Sequence, residues 1–509
     1  MKQFLLFLTT LLPLTFFGQT QIGNELEGIE YGEGFGSSVS FSDNGNILAV
    51  GARFYGNSSN FNDAGIVRVY ENINGTWIQL GNDIEGSTSR DLFGSSVSLS
   101  ANGTILAIGA PHSGSNVNIH AGYARIYQFQ NNSWQQLGSD INGTHLYEKF
   151  GQSISLSSDG TTVAIGAPES EEISYQGGQV KVFRFNTTNL DWEQLGGNLN
   201  PQSPTSTIGG SSKFGTSVSL SSDGNTLAIG APYYIQKSST TGNTEFSGKV
   251  SIYRYNNGGW SLLGVSILGS PIDSGLGKSV SLSSDGTIVA IGANGFSGSN
   301  GNYIGRISVY ELSGGSWDLK GNHIEGEVAY DNFGFSVVLS DDGSIVASCS
   351  PSNNSASGRV RLYQFYGNSW NQVGNNIDGE AASDQAGTAI ALSSDGSILA
   401  VGASGHDVFN PTYGDNTGHV KVYGFETLTT SNTKIVETYG LYPNPATNQV
   451  TISLPQNLNL KYAAIYNALG QKTQTTTNTT INTSAFAKGI YYIEVVTNQG
   501  KATKKLIKQ

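Results

Sequence analysis

A single cysteine among 509 residues, Cys349, excludes an internal disulfide, so packing and hydrogen bonds must hold the fold. Charge is sparse, with Asp, Glu, Lys and Arg together making up 13% of the chain. No run of like charges occurs and no basic patch interleaved with aromatics, which argues against nucleic acid as a partner. Past the N-terminus there is no apolar stretch of about 20 residues, the length a membrane-spanning helix needs. Glycine is plentiful instead, at 67 residues, alongside Ser, Asn, Thr, 24 Tyr and 22 Phe. That mix suits β-strands joined by tight turns better than helices.

The two ends differ from the middle. Lys2, the apolar run from Phe4 to Phe17 and small Gly18 read as a secretory signal, with cleavage expected after Gly18. From Tyr439 onward seven Lys face one acid, Glu494. That tail is net +6, so the residues before it carry −18 of the chain's overall −12. The break points to a domain boundary near 426–439. The expected product is exported and soluble, without a transmembrane segment. Cys349 sits in "VASCSP", where sister segments carry Gly in "AIGAP", and reads as a buried, inert thiol.

An internal repeat organises the middle. Phrases such as "FGSSVSLSANGTILAIGAP" begin at Phe35, Phe93, Phe150, Phe214, Leu276, Phe333 and Ala386, each followed by Gly. A second phrase recurs as "GIVRVY" (65–70) through "GHVKVY" (418–423), and a third as "QLGNDIEG" (79–86) through "QVGNNIDG" (372–379). Each unit thus holds four short strand-like runs divided by turn residues, the pattern of a four-stranded antiparallel blade. After the seventh unit the "LGxxIxG" phrase is missing, and its counterpart lies at the other end as "QIGNELEG" (21–28). All six Trp (77, 134, 192, 260, 317 and 370) precede that phrase in units one to six. The sequence therefore predicts an all-β protein: a seven-bladed β-propeller over 19–425, closed by the N-terminal strand 21–28.

The repeats resemble the FG-GAP family, the propeller repeat also found in integrin α-chains. The matching residues are Phe93-Gly94 with Gly109-Ala110-Pro111, Phe150-Gly151 with Gly166-Ala167-Pro168, and Phe214-Gly215 with Gly230-Ala231-Pro232. The resemblance implies a fold over about residues 20 to 425 and says little of function.

Past a linker at 426–438, residues 439–509 hold alternating strands with Asn-Pro and Gly turns, which fits a small immunoglobulin-like β-sandwich. This segment resembles the type A C-terminal sorting domain of the type IX secretion system of some Gram-negative bacteria. The matching residues are Pro443, Asn444 and Pro445, the Gly470-Gln471 turn, Gly489-Ile490-Tyr491, and a terminal segment with Lys504 and Lys505. The resemblance implies the type IX machinery as a partner. It also implies passage through the periplasm and outer membrane, then release or attachment at the cell surface.

Chemistry is harder to find. Asn44-Gly45 and its six counterparts (Asn102, Asp159, Asp223, Asp285, Asp342 and Asp395, each before Gly) offer one acid or amide per copy, far short of the six to eight oxygens that calcium takes. Asn-Gly and Asp-Gly are instead preferred hairpin-turn pairs. Carboxylates also recur two residues before the inner strands, at Glu33, Asp91, Glu148, Asp331 and Asp384, with Asp273 offset by one. These either cap the turn that leads into the strand or form an acidic ring at one mouth of the channel. His112, His120 and His145 lack metal-motif spacing, and no metal site or cofactor is expected. No nucleophile elbow, HExxH or phosphate loop is present. The variable loops between the second and third runs carry Tyr55, Tyr175, Tyr233, Tyr234, Tyr303 and Tyr413, which are suited to stacking on sugars or anchoring a protein. The leading expectation is a non-enzymatic, secreted or surface-held module that binds a glycan or protein through these loops, in adhesion for example. A polysaccharide-active propeller enzyme and a purely structural surface protein are the alternatives.

Overall fold

The computed structural model describes residues 19–56, 63–112, 121–171, 177–201, 211–237, 244–270, 274–408, 415–425, 440–454, 459–467, 472–497 and 500–509. The signal segment 1–18, the linker 426–438, Asp273, His120, Tyr175, Tyr413 and Gly470 lie outside them. The chain forms two compact units, Met1–Glu426 and Thr427–Gln509.

In the first unit, four- and five-stranded antiparallel sheets follow one another along the sequence, and in all but the last the four main strands are ordered as the chain runs. The first consists of Phe35–Phe41, Ile47–Ala52, Ile66–Ile73 and Thr76–Gln79, with Ile84–Glu85 returning to pair with the third strand. The second strand of each sheet, such as Ile105–Ala110, is buried along its whole length, because neighbouring sheets cover both faces. In most of the sheets the fourth run is broken where the sequence suggests a single strand, whereas in the sixth it is continuous over Ser369–Asp378. Gly81 at φ +80° and Gly138 at φ +74° turn the chain between its two halves, so both halves pair separately with the third strand.

The last sheet, Ala386–Leu392, Ile398–Ala403 and His419–Phe425, takes its outer strand from the other end of the chain. Gln19–Gln21 pairs with its final strand as Gln19↔Phe425 to Gln21↔Tyr423, and Leu26–Glu27 as Leu26↔Val420 and Glu27↔His419. Tryptophans lock adjacent sheets. Trp134 Nε1 donates to the Leu80 carbonyl of the preceding sheet (3.0 Å), and Trp192, Trp260, Trp317 and Trp370 repeat this onto Leu137, Leu195, Leu263 and Lys320. Trp77 makes the same bond to Ile22 in the N-terminal segment (3.0 Å), which stands in the place of the missing fourth run.

Hairpin turns between the first and second strands form a cycle. The Asp43 N–H donates to Ala101, Ala101 to Ser158, Ser158 to Ser222, Ser222 to Ser284, Ser284 to Asp341, Asp341 to Ser394, and Ser394 back to Asp43, at 2.8–3.0 Å. Each turn is built locally. In the first, the Asn44 carbonyl oxygen accepts from Ser42 Oγ (2.9 Å) and from the Asn46 N–H (3.0 Å). Asp159, Asp223, Asp285, Asp342 and Asp395 do likewise, so these side chains are occupied in the turn. Partial burial opposes ionisation of Asp159, Asp223, Asp285 and Asp395, yet these hydrogen bonds outweigh it and hold the carboxyls below their usual range.

At the opposite end of each inner strand the FG and GA pairs meet across sheets. A Cβ on Gly109 would lie 2.1 Å from the Gly151 carbonyl, which also accepts a bond from Ser96 Oγ (2.8 Å). Only glycine allows so close an approach. Cys349 fills the equivalent slot one sheet before the last. It is fully buried, and burial pushes its thiol up to about 12, which keeps it protonated and inert.

The second unit packs a three-stranded sheet (Gly440–Tyr442, Gln449–Ser453 and Thr480–Asn482) against a four-stranded one (Lys472–Thr476, Leu460–Asn467, Gly489–Thr497 and Gly500–Lys508). Val450, Ile452 and Ile481 from the first sheet share one core with Ala463, Ile465, Ile493, Val495 and Leu506 from the second. Asn444, between its two prolines, fastens the final strand. Its amide nitrogen donates to the Lys505 carbonyl (2.8 Å) and its amide oxygen accepts from the Ile507 N–H (2.9 Å).

Two outcomes follow for stability. Deleting residues 19–30 removes an outer strand and the acceptor for Trp77, and is expected to lower the melting temperature sharply; an unchanged melt would show that this segment does not close the unit. Asp341 is pushed up to about 6, by burial first and then by repulsion from Asp43 and Asp342. Its folded value lies above its unfolded one, so the stability it adds is complete below about pH 4 and is lost as pH rises through 6. Asp341→Asn should therefore stabilise the protein at pH 7 by about 0.5–1 kcal/mol, a small figure because solvent reaches the side chain. Scanning fluorimetry at pH 4 and 7 should show a gain at the higher pH only.

Candidate functional site

Across the seven inner phrases the residue after "FG" varies while its neighbours repeat: Ser37, Ser95, Gln152, Thr216, Lys278, Phe335 and Thr388. Three consecutive members, Thr216, Lys278 and Phe335, form part of the wall of a cavity of about 480 Å³. The rest comes from loops beyond the second strands, with Pro232, Tyr233, Phe246, Asn294 and Tyr303, and from Ser274, Gly275 and Asn332 just before the inner strands. Aromatic rings border it. Tyr233 and Phe246 meet edge to face at 6.5 Å, while Tyr303 stacks on Tyr330 at 5.9 Å. All four stay roughly half exposed, at 53%, 54%, 48% and 61%. Apolar faces of this size left open to solvent are the feature expected of a binding surface.

Lys278 supplies the cavity's charge. Its ammonium sits 4.5 Å above the Phe335 ring, and among the described residues no carboxylate lies within ion-pair distance of it. Burial depresses its pKa and nearby Arg53 depresses it further, against an opposing influence from Cys349. Arg53, from the first sheet, is likewise depressed by burial. It rests over the Phe54 ring at 4.7 Å, and its Nε has no hydrogen-bond partner. Two partly buried cations with no counter-charge among the described residues favour an anionic group brought to them. None of the described residues lining the cavity is acidic.

The six tyrosines separate. Tyr233 and Tyr303 line this cavity together. Tyr234 packs against the core of its sheet with Lys249 Nζ over its ring at 5.1 Å, and Tyr55 packs inward with Arg68 at 5.5 Å. Tyr175 and Tyr413 lie outside the described residues.

The five recurring carboxylates are all buried, each fixed within its own turn. Glu33 accepts from the Ile29 N–H (2.6 Å) and pairs with Arg68 (3.3 Å); burial pushes its carboxyl up despite that partner. Asp91 accepts from the Thr88 N–H and Tyr123 Oη (both 2.9 Å), and Glu148 from the N–H groups of Thr144 and His145. Asp331 accepts from Val328 N–H and Asn353 Nδ2, and Asp384 from Glu380 and Ala381 N–H. Buried and bonded in this way, the five do not present an acidic ring to solvent.

Sequence reading missed Lys278, Arg53, Phe246 and Phe335. The signal available for two of them was the variation at the position after "FG", where one lysine and one phenylalanine stand among small and polar residues.

Comparison with known proteins resolves the other end of the chain. Residues 440–509 match the secretion system C-terminal sorting domain. This tail is a type IX sorting domain. It marks the protein as secreted or held at the outer surface, with the type IX machinery as a partner. No helix among the described residues is long and apolar enough to cross a membrane. No curated protein matches the chain. Among solved structures, one from Bacteroides uniformis that bears the provisional name 6-phosphogluconolactonase is 12% identical, covers 68% of this chain and 86% of its own, and superposes with a TM-score of 0.45.

Within the sorting domain, Asn444 and Gly489 belong to the framework. Pro443 and Pro445 flank Asn444, and Lys504 and Lys505 lie on the final strand that Asn444 holds. Asn444→Ala removes both of its bonds to that strand. It should destabilise the tail by about 1–3 kcal/mol and lower the exported fraction, read as protein in the medium against protein in the periplasm of a type IX-competent host. Undiminished export would show that this clasp is dispensable.

Proposed function

We propose that the protein is an exported, non-enzymatic binding module for an acidic glycan, a role consistent with adhesion. The observation that carries this is the cavity: half-exposed Tyr233, Phe246 and Tyr303 around a partly buried Lys278 that has no carboxylate partner among the described residues. Sugar rings present apolar faces that stack on such aromatics, and a uronate or sulfate would supply the charge that Lys278 lacks. The absence of an acid among the described lining residues speaks against the paired carboxylates of a glycosidase.

The architecture behind this reading is a seven-bladed β-propeller of FG-GAP type over 19–425, closed by the N-terminal strand 21–28. A cleaved signal peptide at 1–18 precedes it. A linker at 426–438 and an immunoglobulin-like sorting domain at 439–509 follow. The cyclic hydrogen bonds of the hairpin turns support the propeller, and the two-sheet core supports the sandwich.

A glycan array holding neutral, uronate-bearing and sulfated saccharides tests the reading with the purified protein. Binding should favour the acidic members. Tyr233→Ala and Tyr303→Ala should each weaken it by about 5- to 30-fold, equivalent to about 1–2 kcal/mol, while Lys278→Gln should abolish the preference for acidic over neutral glycans. Turnover of a bound glycan, or affinities unmoved by all three variants, would overturn it.

A further inference from the structure

Away from the aromatic cavity, three residues from separate parts of the chain converge beside the N-terminal closure. Glu25 directly precedes Leu26–Glu27, which pairs with the last strand, and His419 is the first residue of that strand. His406 follows the second strand of the same sheet. Its carbonyl accepts from the Gly418 N–H (2.9 Å) and its N–H donates to Ala403 (3.2 Å), so backbone bonds fix it beside His419. One ligand atom from each of Glu25, His406 and His419 lies within 4.8 Å of the other two.

We propose that Glu25, His406 and His419 form a binding site for a divalent transition metal of the zinc type, which clasps the N-terminal segment to the last sheet. Tetrahedral zinc with bonds of about 2.1 Å holds its donors about 3.4 Å apart, so the widest pair must close by up to about 1.4 Å to complete the set. The imidazole rings face one another with centroids 4.0 Å apart. His419 is only 5% exposed, and neither its Nδ1 nor that of His406 has a hydrogen-bond partner. His419 Nδ1 does approach Glu25 Oε1 to 2.5 Å, an ion-pair contact that lacks hydrogen-bond alignment. A buried His419 and a partly buried His406 beside it are well placed to serve as ligands.

The surrounding charge is suited to a dication. Lys421 contacts Glu25 (3.4 Å) and Glu380, and Asp384 Oδ1 lies 3.3 Å from His406 Nδ1. Three carboxylates against one ammonium leave the cluster two charges negative before a metal binds. Asp384, anchored by two backbone N–H groups, is placed as an outer carboxylate that orients the His406 ring, a common support for metal-bound histidine. Two nitrogens and one carboxylate select zinc and its neighbours over calcium or magnesium, which prefer all-oxygen sites. No sequence motif announces the set, because Glu25 meets the two histidines only where the chain's ends do.

The test uses the full chain, stripped with chelator and titrated with zinc chloride by calorimetry and scanning fluorimetry. Cobalt(II) serves as a spectroscopic probe of nitrogen and oxygen coordination. One equivalent of zinc should bind and raise the melting temperature by about 2–4 °C. His406→Gln and Glu25→Gln should each weaken binding by about tenfold or more and remove the cobalt(II) visible absorption, whereas His145→Gln, at an exposed histidine elsewhere, should leave both intact. His406 lies on a loop, so its variant decides the matter should changes at buried His419 impair folding. No zinc binding by the unaltered chain, or equal binding by the His406→Gln variant, would overturn the site. Binding without a rise in melting temperature would overturn the clasp.

Discussion

Seven backbone hydrogen bonds, each passing from one hairpin turn to the next and the last returning to the first, constrain everything else in the larger unit. Each turn must both donate and accept, so no sheet can shift without breaking two bonds. A cycle of this kind leaves no free inner edge, and closure of that sort suits a chain without disulfides. The outer rim needs its own closure. Each Trp indole reaches the broken fourth run of the sheet before it, and the first sheet finds that run only because Ile22 supplies it from the N-terminal segment.

The same constraint explains why the repeated polar residues are poor places to seek chemistry. Ser96 Oγ is occupied by a carbonyl of the next sheet, Asp159 by its own turn, and Glu148 by two N–H groups and a contact with His145. A residue that recurs in nearly every copy has a task that recurs in every copy, and that task here is structural. Freedom to differ remains after the "FG" pair and in the loops past the second strands. The aromatic cavity draws on both.

How much the sequence disclosed follows from how local each signal is. The strands, the turns and the Asx hairpins depend on residues within a few positions of one another, and the repeat multiplied a weak signal sevenfold. The break in the fourth run went unseen because "QLGSDING" also reads as one strand; only pairing of both halves with the same neighbour exposes the turn at Gly138. Tyr233 and Tyr234 are adjacent in sequence yet point to opposite fates, one to the cavity and one to the core, as successive side chains near a strand end must. Lys278 was hidden in "LGKSVSL", where a lone lysine reads as a solvated charge until burial and the missing counter-charge are visible. The meeting of Glu25 with His406 and His419 depends on ring closure and had no local trace at all.

Charge pairing elsewhere in the unit sharpens the meaning of that lysine. Arg68 lies between Glu33 and Asp83, Arg125 binds Asp140 at 2.7 Å, and Arg361 meets Glu327 at 3.1 Å. Hydrogen bonding to Asp140 holds Arg125 well above the usual range even though burial opposes it. In a chain of net charge −12, carboxylates are not scarce. Lys278 is partly buried and has no carboxylate partner among the described residues, an arrangement that costs stability. It stands beside Arg53 under a rim of exposed rings, as Lys249 stands over the Tyr234 ring.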